Sequence, residues 1–108
     1  MNKFELFCMM FYALDAEWDE SQNAILGEFL SSANPFLFDG LGSAVPEIYE
    51  NFCAHITEPV TVENSYDKAL NYTKFLHNDV VFKAFQSISK DEWIESTLDY
   101  LSHEHKGM

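Results

Sequence analysis

The amino-acid sequence predicts an all-α protein, a compact single-domain bundle of about six helices spanning residues 1–108. Apolar residues recur at helical spacing along most of the chain, and caps and helix breakers divide this pattern into segments. The β-branched run Val60–Val62 is too short to form a strand. The composition, 47% hydrophobic and 16% aromatic with ten phenylalanines, supplies a core without metals or disulfides.

The first two predicted helices precede Pro35. The first runs from about residue 2 to residue 17, and nearly every residue in Phe4–Leu14 is apolar. Such a helix is buried on several sides or meets a partner. The second helix is predicted to start near Ser21 as its N-cap. It should end by Asn34, because proline disfavours helical geometry at the residue before it.

A loop and a third helix occupy the middle of the chain. The segment Asn34–Gly42 is predicted to be a loop that packs down as a lid or short turn, because it contains four large apolar residues. These residues are Phe36, Leu37, Phe38 and Leu41. The third helix should begin around Ser43–Glu47, since proline and acidic residues are favoured in a first turn. Its apolar pattern continues to Ile56.

Three further helices are predicted in the second half of the chain. The fourth covers about Ser65–His77, and the fifth follows a start at Asn78–Asp79. The sixth has the clearest start, because Ser89 and Glu92 have the Ser-x-x-Glu spacing of a capping box. Apolar residues at helical spacing follow that box.

Negative charge is distributed unevenly along the chain. Eighteen acidic and six basic residues give a net charge of −12 at pH 7. Residues 4–67 contain twelve acids and no lysine or arginine, whereas residues 68–108 contain six acids and five lysines. Such an imbalance opposes compaction by self-repulsion. It indicates either a solvated surface that keeps the protein in solution or a surface suited to a basic partner.

The sequence argues against nucleic acids and membranes as direct partners. Arginine is absent and the lysines do not cluster, so little is available to neutralise phosphates or anionic lipids. No run of about 18 apolar residues could span a bilayer. Glu5 and the acids after Leu14 distinguish the apolar start from a secretory signal. We therefore expect a cytoplasmic protein.

The histidines and cysteines do not have the spacing of a metal or catalytic site. His103 and His105 are two residues apart and would not share a helix face. His55 and His77 are expected near helix C-termini, where positive charge is favourable.

Cys8 and Cys53 lie among apolar neighbours and are expected to be free thiols in a reducing compartment. No nucleophile motif or phosphate-binding loop is present. We therefore expect no enzymatic activity, no cofactor and no metal.

Trp18 lies among four acidic residues: Asp15, Glu17, Asp19 and Glu20. Two interpretations are open for this tryptophan. An exposed indole ringed by carboxylates would be an interface anchor. Alternatively, the ring folds back onto the turn between the first two helices and belongs to the core.

Two stretches of the chain resemble those of a known class of proteins. They read Phe-Leu-Ser-Ser-Ala-Asn-Pro-Phe-Leu-Phe at residues 29–38 and Gly-Ser-Ala-Val-Pro-Glu-Ile-Tyr at residues 42–49, about a sixth of the chain. They resemble small acidic bacterial immunity proteins of contact-dependent growth inhibition systems. The resemblance implies that the chain binds a cognate toxin domain, a nuclease with a basic active site, and neutralises it by stoichiometric occlusion.

The charge pattern places the expected partner-binding surface in the acidic first half of the chain. The residues expected there are Asp15, Glu17, Trp18, Asp19, Glu20, Asp39, Glu47 and Glu50. An alternative is an acidic structural or regulatory interaction module that forms a homodimer through its apolar first helix. A third hypothesis, an enzyme of unrecognised type, has no supporting motif in the sequence.

Overall fold

The computed structural model describes residues 1–35, 45–57 and 59–102. Within these ranges the chain forms six α-helices and no strand, which confirms the predicted all-α fold class. Their bounds are α1 Lys3–Ser21, α2 Ala24–Ala33, α3 Pro46–His55, α4 Val62–Phe75, α5 Asp79–Gln86 and α6 Lys90–Leu101. Residues 36–42 of the predicted loop Asn34–Gly42 lie outside the described residues, and α3 begins at Pro46, within the predicted start Ser43–Glu47.

Helix α1 extends four residues beyond its predicted end at Glu17. It begins with a capping box, in which Asn2 and Glu5 satisfy each other's backbone N–H groups. It ends where Gln22 adopts a left-handed conformation with φ 54° and donates its N–H to the Trp18 carbonyl. The acids at positions 19 and 20, which lie beyond the predicted end, are therefore helical.

The predicted N-cap of α2, Ser21, is also wrong, because this residue ends α1. Asn23 caps α2 instead, and its side-chain oxygen accepts the N–H groups of Ile25 and Leu26. The predicted end before Pro35 is confirmed, since α2 stops at Ala33.

Helix α4 starts three residues earlier than the sequence predicted. Thr61 and Asn64 form its capping box, so the run Val60–Val62 leads into a helix. Ser65 was the predicted start, but it lies inside the helix and is fully buried. Its hydroxyl accepts a hydrogen bond from the indole of Trp93, at 2.8 Å.

Helix α6 forms only half of its predicted capping box. The Ser89 hydroxyl accepts the N–H of Glu92 at 3.2 Å, as predicted. The Glu92 carboxylate, however, makes no return bond to the Ser89 N–H within the described residues. This side chain is exposed and is not engaged by the helix start.

Helix α1 is the centre of the structure, since it contacts each of the other five helices. Its apolar residues are almost all buried within the chain's own core. They are Phe4, Leu6, Phe7, Cys8, Met9, Met10, Phe11 and Leu14. The expectation that this helix is buried on several sides is confirmed. No helix in the described ranges is both long and apolar enough to cross a membrane.

A cluster of aromatic rings joins α3 and α4 to the first half of α1. Phe52 lies 5.0 Å from Phe7 and 4.8 Å from Tyr72, and both pairs pack edge to face. Tyr49 also contacts Phe7, at 5.2 Å. Such pairs stabilise by about 0.5–1.5 kcal/mol beyond the burial of their surface. The cluster therefore holds α3 beside the N-terminal half of α1.

Two long-range hydrogen bonds hold α6 and the turn before it against α4. Trp93, which is 1% exposed, donates to Ser65, and the Tyr66 hydroxyl donates to the carbonyl of Ile88 at 2.6 Å. At the other end of α6, the side chain of Tyr100 is within hydrogen-bonding reach of Cys8. Helix α6 is thereby held along α1 in a defined orientation.

Tyr72 carries a buried hydroxyl whose ionisation should weaken the fold at high pH. The side chain is 0% exposed, and its hydroxyl has no hydrogen-bond partner among the described residues. Burial raises the pKa of Tyr72 from 10.0 to about 12. The unfolded chain loses this proton near its ordinary pKa while the folded chain keeps it. Stability is therefore intact below the unfolded pKa and falls as the pH rises toward the folded one.

Urea unfolding at neutral pH and at about pH 11 measures this effect. The wild-type free energy of unfolding should fall between the two conditions. Tyr72→Phe should lose less, because phenylalanine has no proton to release, and should be no less stable at neutral pH. An equal loss in the variant would show that Tyr72 does not contribute to the pH dependence.

Candidate functional site

The structure places the predicted interface residues at two separate locations. Asp15, Asp19 and Glu20 are exposed on the C-terminal half of α1, and Glu17 and Trp18 are half-buried there. The acids of α3 are exposed as well. They are Glu47 and Glu50. Asp39 lies outside the described residues.

The part of α1 that contacts α3 differs from the part that carries the predicted acids. Helix α3 packs beside Phe4 and Phe7 through Tyr49. The acidic part of α1 begins eight residues after Phe7, at Asp15, which is about 12 Å further along the helix axis. The described residues of the predicted interface therefore comprise a group on α1 and a group on α3.

Trp18 packs against α2, which favours the core interpretation of this residue. A Cβ atom placed on Gly27 would lie 2.7 Å from the indole Nε1 of Trp18, so glycine permits the close approach of the ring. The ring contacts the core and remains half-buried at the side of a shallow depression that Asp15 and Leu30 also line.

Replacing Gly27 with alanine should displace the Trp18 ring. The added methyl group cannot remain 2.7 Å from Nε1, although alanine favours the helix by about 1 kcal/mol. In a ¹H–¹⁵N spectrum the indole resonance of Trp18 should shift, while that of Trp93 should stay in place as an internal control. An unchanged Trp18 resonance would show that the ring does not rest on Gly27.

A cleft of about 210 Å³ lies between α1 and α6. Its floor is apolar, and small side chains on α1 leave the space open. The apolar lining consists of Met9, Tyr12, Ala13, Ala16, Ile88 and Trp93. Small-molecule sites typically enclose about 300–1,000 Å³, so the cleft is better suited to one side chain of another protein.

Carboxylates from both helices flank this cleft. Glu17 on α1 and Glu92 on α6 line it directly. A neighbouring depression continues along α6 and is lined by Glu92, Glu95, Ser96 and Asp99, which follow helical spacing on one face. Glu17 is the one residue of the predicted interface that the structure brings together with these α6 acids.

The lysines in the described ranges leave the cleft acids unneutralised. Lys90 pairs with Asp67 on α4 at 3.6 Å, and both side chains are exposed. Lys3 and Lys68 donate to backbone carbonyl groups elsewhere. Lys83 lines a different depression, which it shares with Glu17. No ion pair joins a lysine of the described chain to Glu17, Glu92 or Glu95.

The other chemically reactive side chains do not assemble into a site. No group of three or more histidine, cysteine or acidic residues in the described ranges could hold a metal ion. His55 packs against the Phe75 ring at 4.8 Å. His77 follows α4 in a left-handed conformation, so it lies beyond the helix end that it was expected to stabilise.

Cys8 and Cys53 form no disulfide in the described part of the chain. Cys8 is buried and Cys53 is partly buried. The two remaining histidines, His103 and His105, lie outside the described part of the chain.

Sequence reasoning missed the contribution of α6 to the acidic cleft. We assigned Glu92 to the capping box at the start of α6, and this role explained the presence of an acid there without a binding partner. The i, i+3 and i+7 spacing of Glu92, Glu95 and Asp99 was the available signal, as was the matching spacing of Met9, Tyr12 and Ala16. Only the packing of α6 on α1 shows that these two patterns face each other.

Comparison of the chain with protein-family models, with curated proteins and with solved structures gave no match.

Proposed function

We propose that this chain is an immunity protein that acts in the cytoplasm, binds a cognate toxin domain and neutralises it by stoichiometric occlusion. The observation that carries the proposal is the acidic surface of α1 and α6. Its carboxylates at Glu17, Glu92 and Glu95 have no lysine partner within the described residues. The resemblance of residues 29–38 and 42–49 to bacterial immunity proteins supports the same function.

The physical scheme is electrostatic recognition followed by close packing. A nuclease site is basic because it holds phosphates. An acidic protein is attracted to such a site, and the attraction raises the association rate. The long-lived part of the complex would depend on a few buried anchors rather than on charges at the rim. The small α1–α6 cleft offers a place for one such anchor.

The homodimer alternative has less support from the fold. It was based on an apolar first helix that could meet a second copy, but these side chains are used in the chain's own core. Among the large hydrophobic residues of α1, only Tyr12 is exposed, at 38%. Multi-angle light scattering of the purified protein should give the mass of a monomer. The mass of a dimer would revive the alternative.

Isothermal titration against the toxin domain encoded immediately upstream tests the proposed function. We expect saturable one-to-one binding that weakens with added salt, together with loss of toxin activity at equal concentrations. Absence of heat at low salt would refute the proposal, as would toxin activity that persists when both proteins are mixed in equal amounts. An unrelated protein of similar net charge controls for nonspecific attraction.

A further inference from the structure

The α1–α6 cleft combines an apolar floor with carboxylates contributed by both helices. We propose that this cleft is the binding site for one long cationic side chain, an arginine or a lysine, which the basic partner presents. The inference deepens the proposed function and rests on it for the nature of the partner. It adds the place of contact and the type of residue that the partner must supply.

The floor of the cleft suits the hydrocarbon stem of such a side chain. Met9, Tyr12, Ala13 and Ala16 follow the i, i+3, i+4 and i+7 spacing of one helix face. Lysine and arginine lay their methylene groups on apolar surface while the charged group stays near water. Trp93 completes the floor and is held by its hydrogen bond to Ser65, so the surface is already formed before a partner binds.

The mouth of the cleft suits the charged end. Glu17 and Glu92 approach it from opposite helices, so a cation between them would meet two carboxylates. Glu95 extends the negative potential along α6. Tyr12, whose side chain is 38% exposed, lines the same cleft.

Two other depressions in the described ranges are less suited to this ligand. The one beside Trp18 has a single carboxylate, from Asp15, among its lining residues. The one between α1, α2 and α5 places Lys83 opposite Glu17 and would repel a second cation. The α1–α6 cleft has two lining carboxylates and no lining lysine.

A short peptide tests the cleft without the toxin. The full chain, labelled with ¹⁵N, is titrated at constant ionic strength with acetyl-Gly-Arg-Gly-amide or with its lysine counterpart. We expect saturable shifts of the amide resonances concentrated at residues 9–17 and 88–96. The citrulline peptide, which has the shape of arginine without its charge, should give no saturable shifts. Equal shifts with citrulline, or shifts spread evenly to the α3 acids, would overturn the proposal.

Two variants separate the contributions of charge and of apolar contact. Glu17→Gln with Glu92→Gln should weaken binding of the better peptide about fivefold. Ala16→Leu keeps both carboxylates but fills the apolar floor, and it should abolish the shifts. The matched control, Glu47→Gln with Glu50→Gln, removes the same charge from α3 and should leave the affinity unchanged. Thermal melts establish that each variant is folded.

The same variants distinguish failure of the cleft from failure of the proposed function. If the toxin domain binds the wild-type chain and the cleft variants equally well, the cleft inference is wrong and the immunity function stands. If the toxin does not bind but the peptide shifts the cleft resonances as expected, the immunity function is wrong and the cleft remains a site for cationic side chains.

Discussion

Replacing Phe52 with alanine is expected to lower the free energy of unfolding by about 3–5 kcal/mol. The side chain is 0% exposed and packs against the rings of Phe7, Tyr49 and Tyr72. The variant loses the transfer energy of the ring and leaves a cavity where α1, α3 and α4 meet, which neighbouring aromatic rings can fill only in part. Urea unfolding followed by circular dichroism measures the change.

Phe75→Ala is the matched control for this substitution. Phe75 is 53% exposed and contacts His55, so removing its ring should change the free energy of unfolding by less than about 1 kcal/mol. Native proteins typically have a free energy of unfolding of only about 5–15 kcal/mol, so the Phe52 variant should also melt at a much lower temperature. Similar losses in both variants would mean that the aromatic cluster does not organise the core.

The largest functional effect is expected from the acids of α1. Replacing Asp15, Glu17, Asp19 and Glu20 with their amides should slow association with a basic toxin domain about tenfold at low salt. The variant should also show a flatter dependence of the rate on salt, because the steering charge has been removed. Stopped-flow measurements over a range of salt concentrations would give both quantities. Dissociation should change less, since three of these side chains are exposed.

The α3 acids supply the control for position. Glu47→Gln with Glu50→Gln removes two negative charges from α3. Per charge removed, this pair should slow association less than the α1 set, because Glu17 of that set lines a cleft with Glu92 of α6. An equal effect per charge would mean that net charge, rather than the α1–α6 surface, guides the partner. Rates that do not vary with salt would refute electrostatic steering.

Helix boundaries illustrate where sequence reasoning succeeded and where it failed. The end of α2 before Pro35 was predictable because the steric clash that proline creates is local. The choice between Ser21 and Asn23 as its N-cap was not, since both residue types cap helices well. Gln22 adopts a left-handed conformation and ends α1 directly after Ser21. Ser21 therefore belongs to α1, and Asn23 is left to cap α2.

Ser65 shows how tertiary contacts override a local signal. Its residue type and position favoured a helix start, and Thr61, also a good cap, lies four residues earlier. The helix begins at the earlier cap, and Ser65 receives a hydrogen bond from Trp93, 28 residues away. A residue that pairs across the core cannot be recognised from its neighbours in the sequence.

The properties of the acidic surface also fall into two groups: some follow from the sequence alone, and others depend on the tertiary structure. The amount of negative charge, its concentration before residue 68 and the number of helices follow from residue types and periodicity. These properties are local or additive, so the sequence by itself determined them. The placement of Glu17 and Glu92 at one cleft depends on how α6 packs against α1. Only the tertiary structure decided that arrangement, because the distance between two helix faces is set by the core side chains that lie between them.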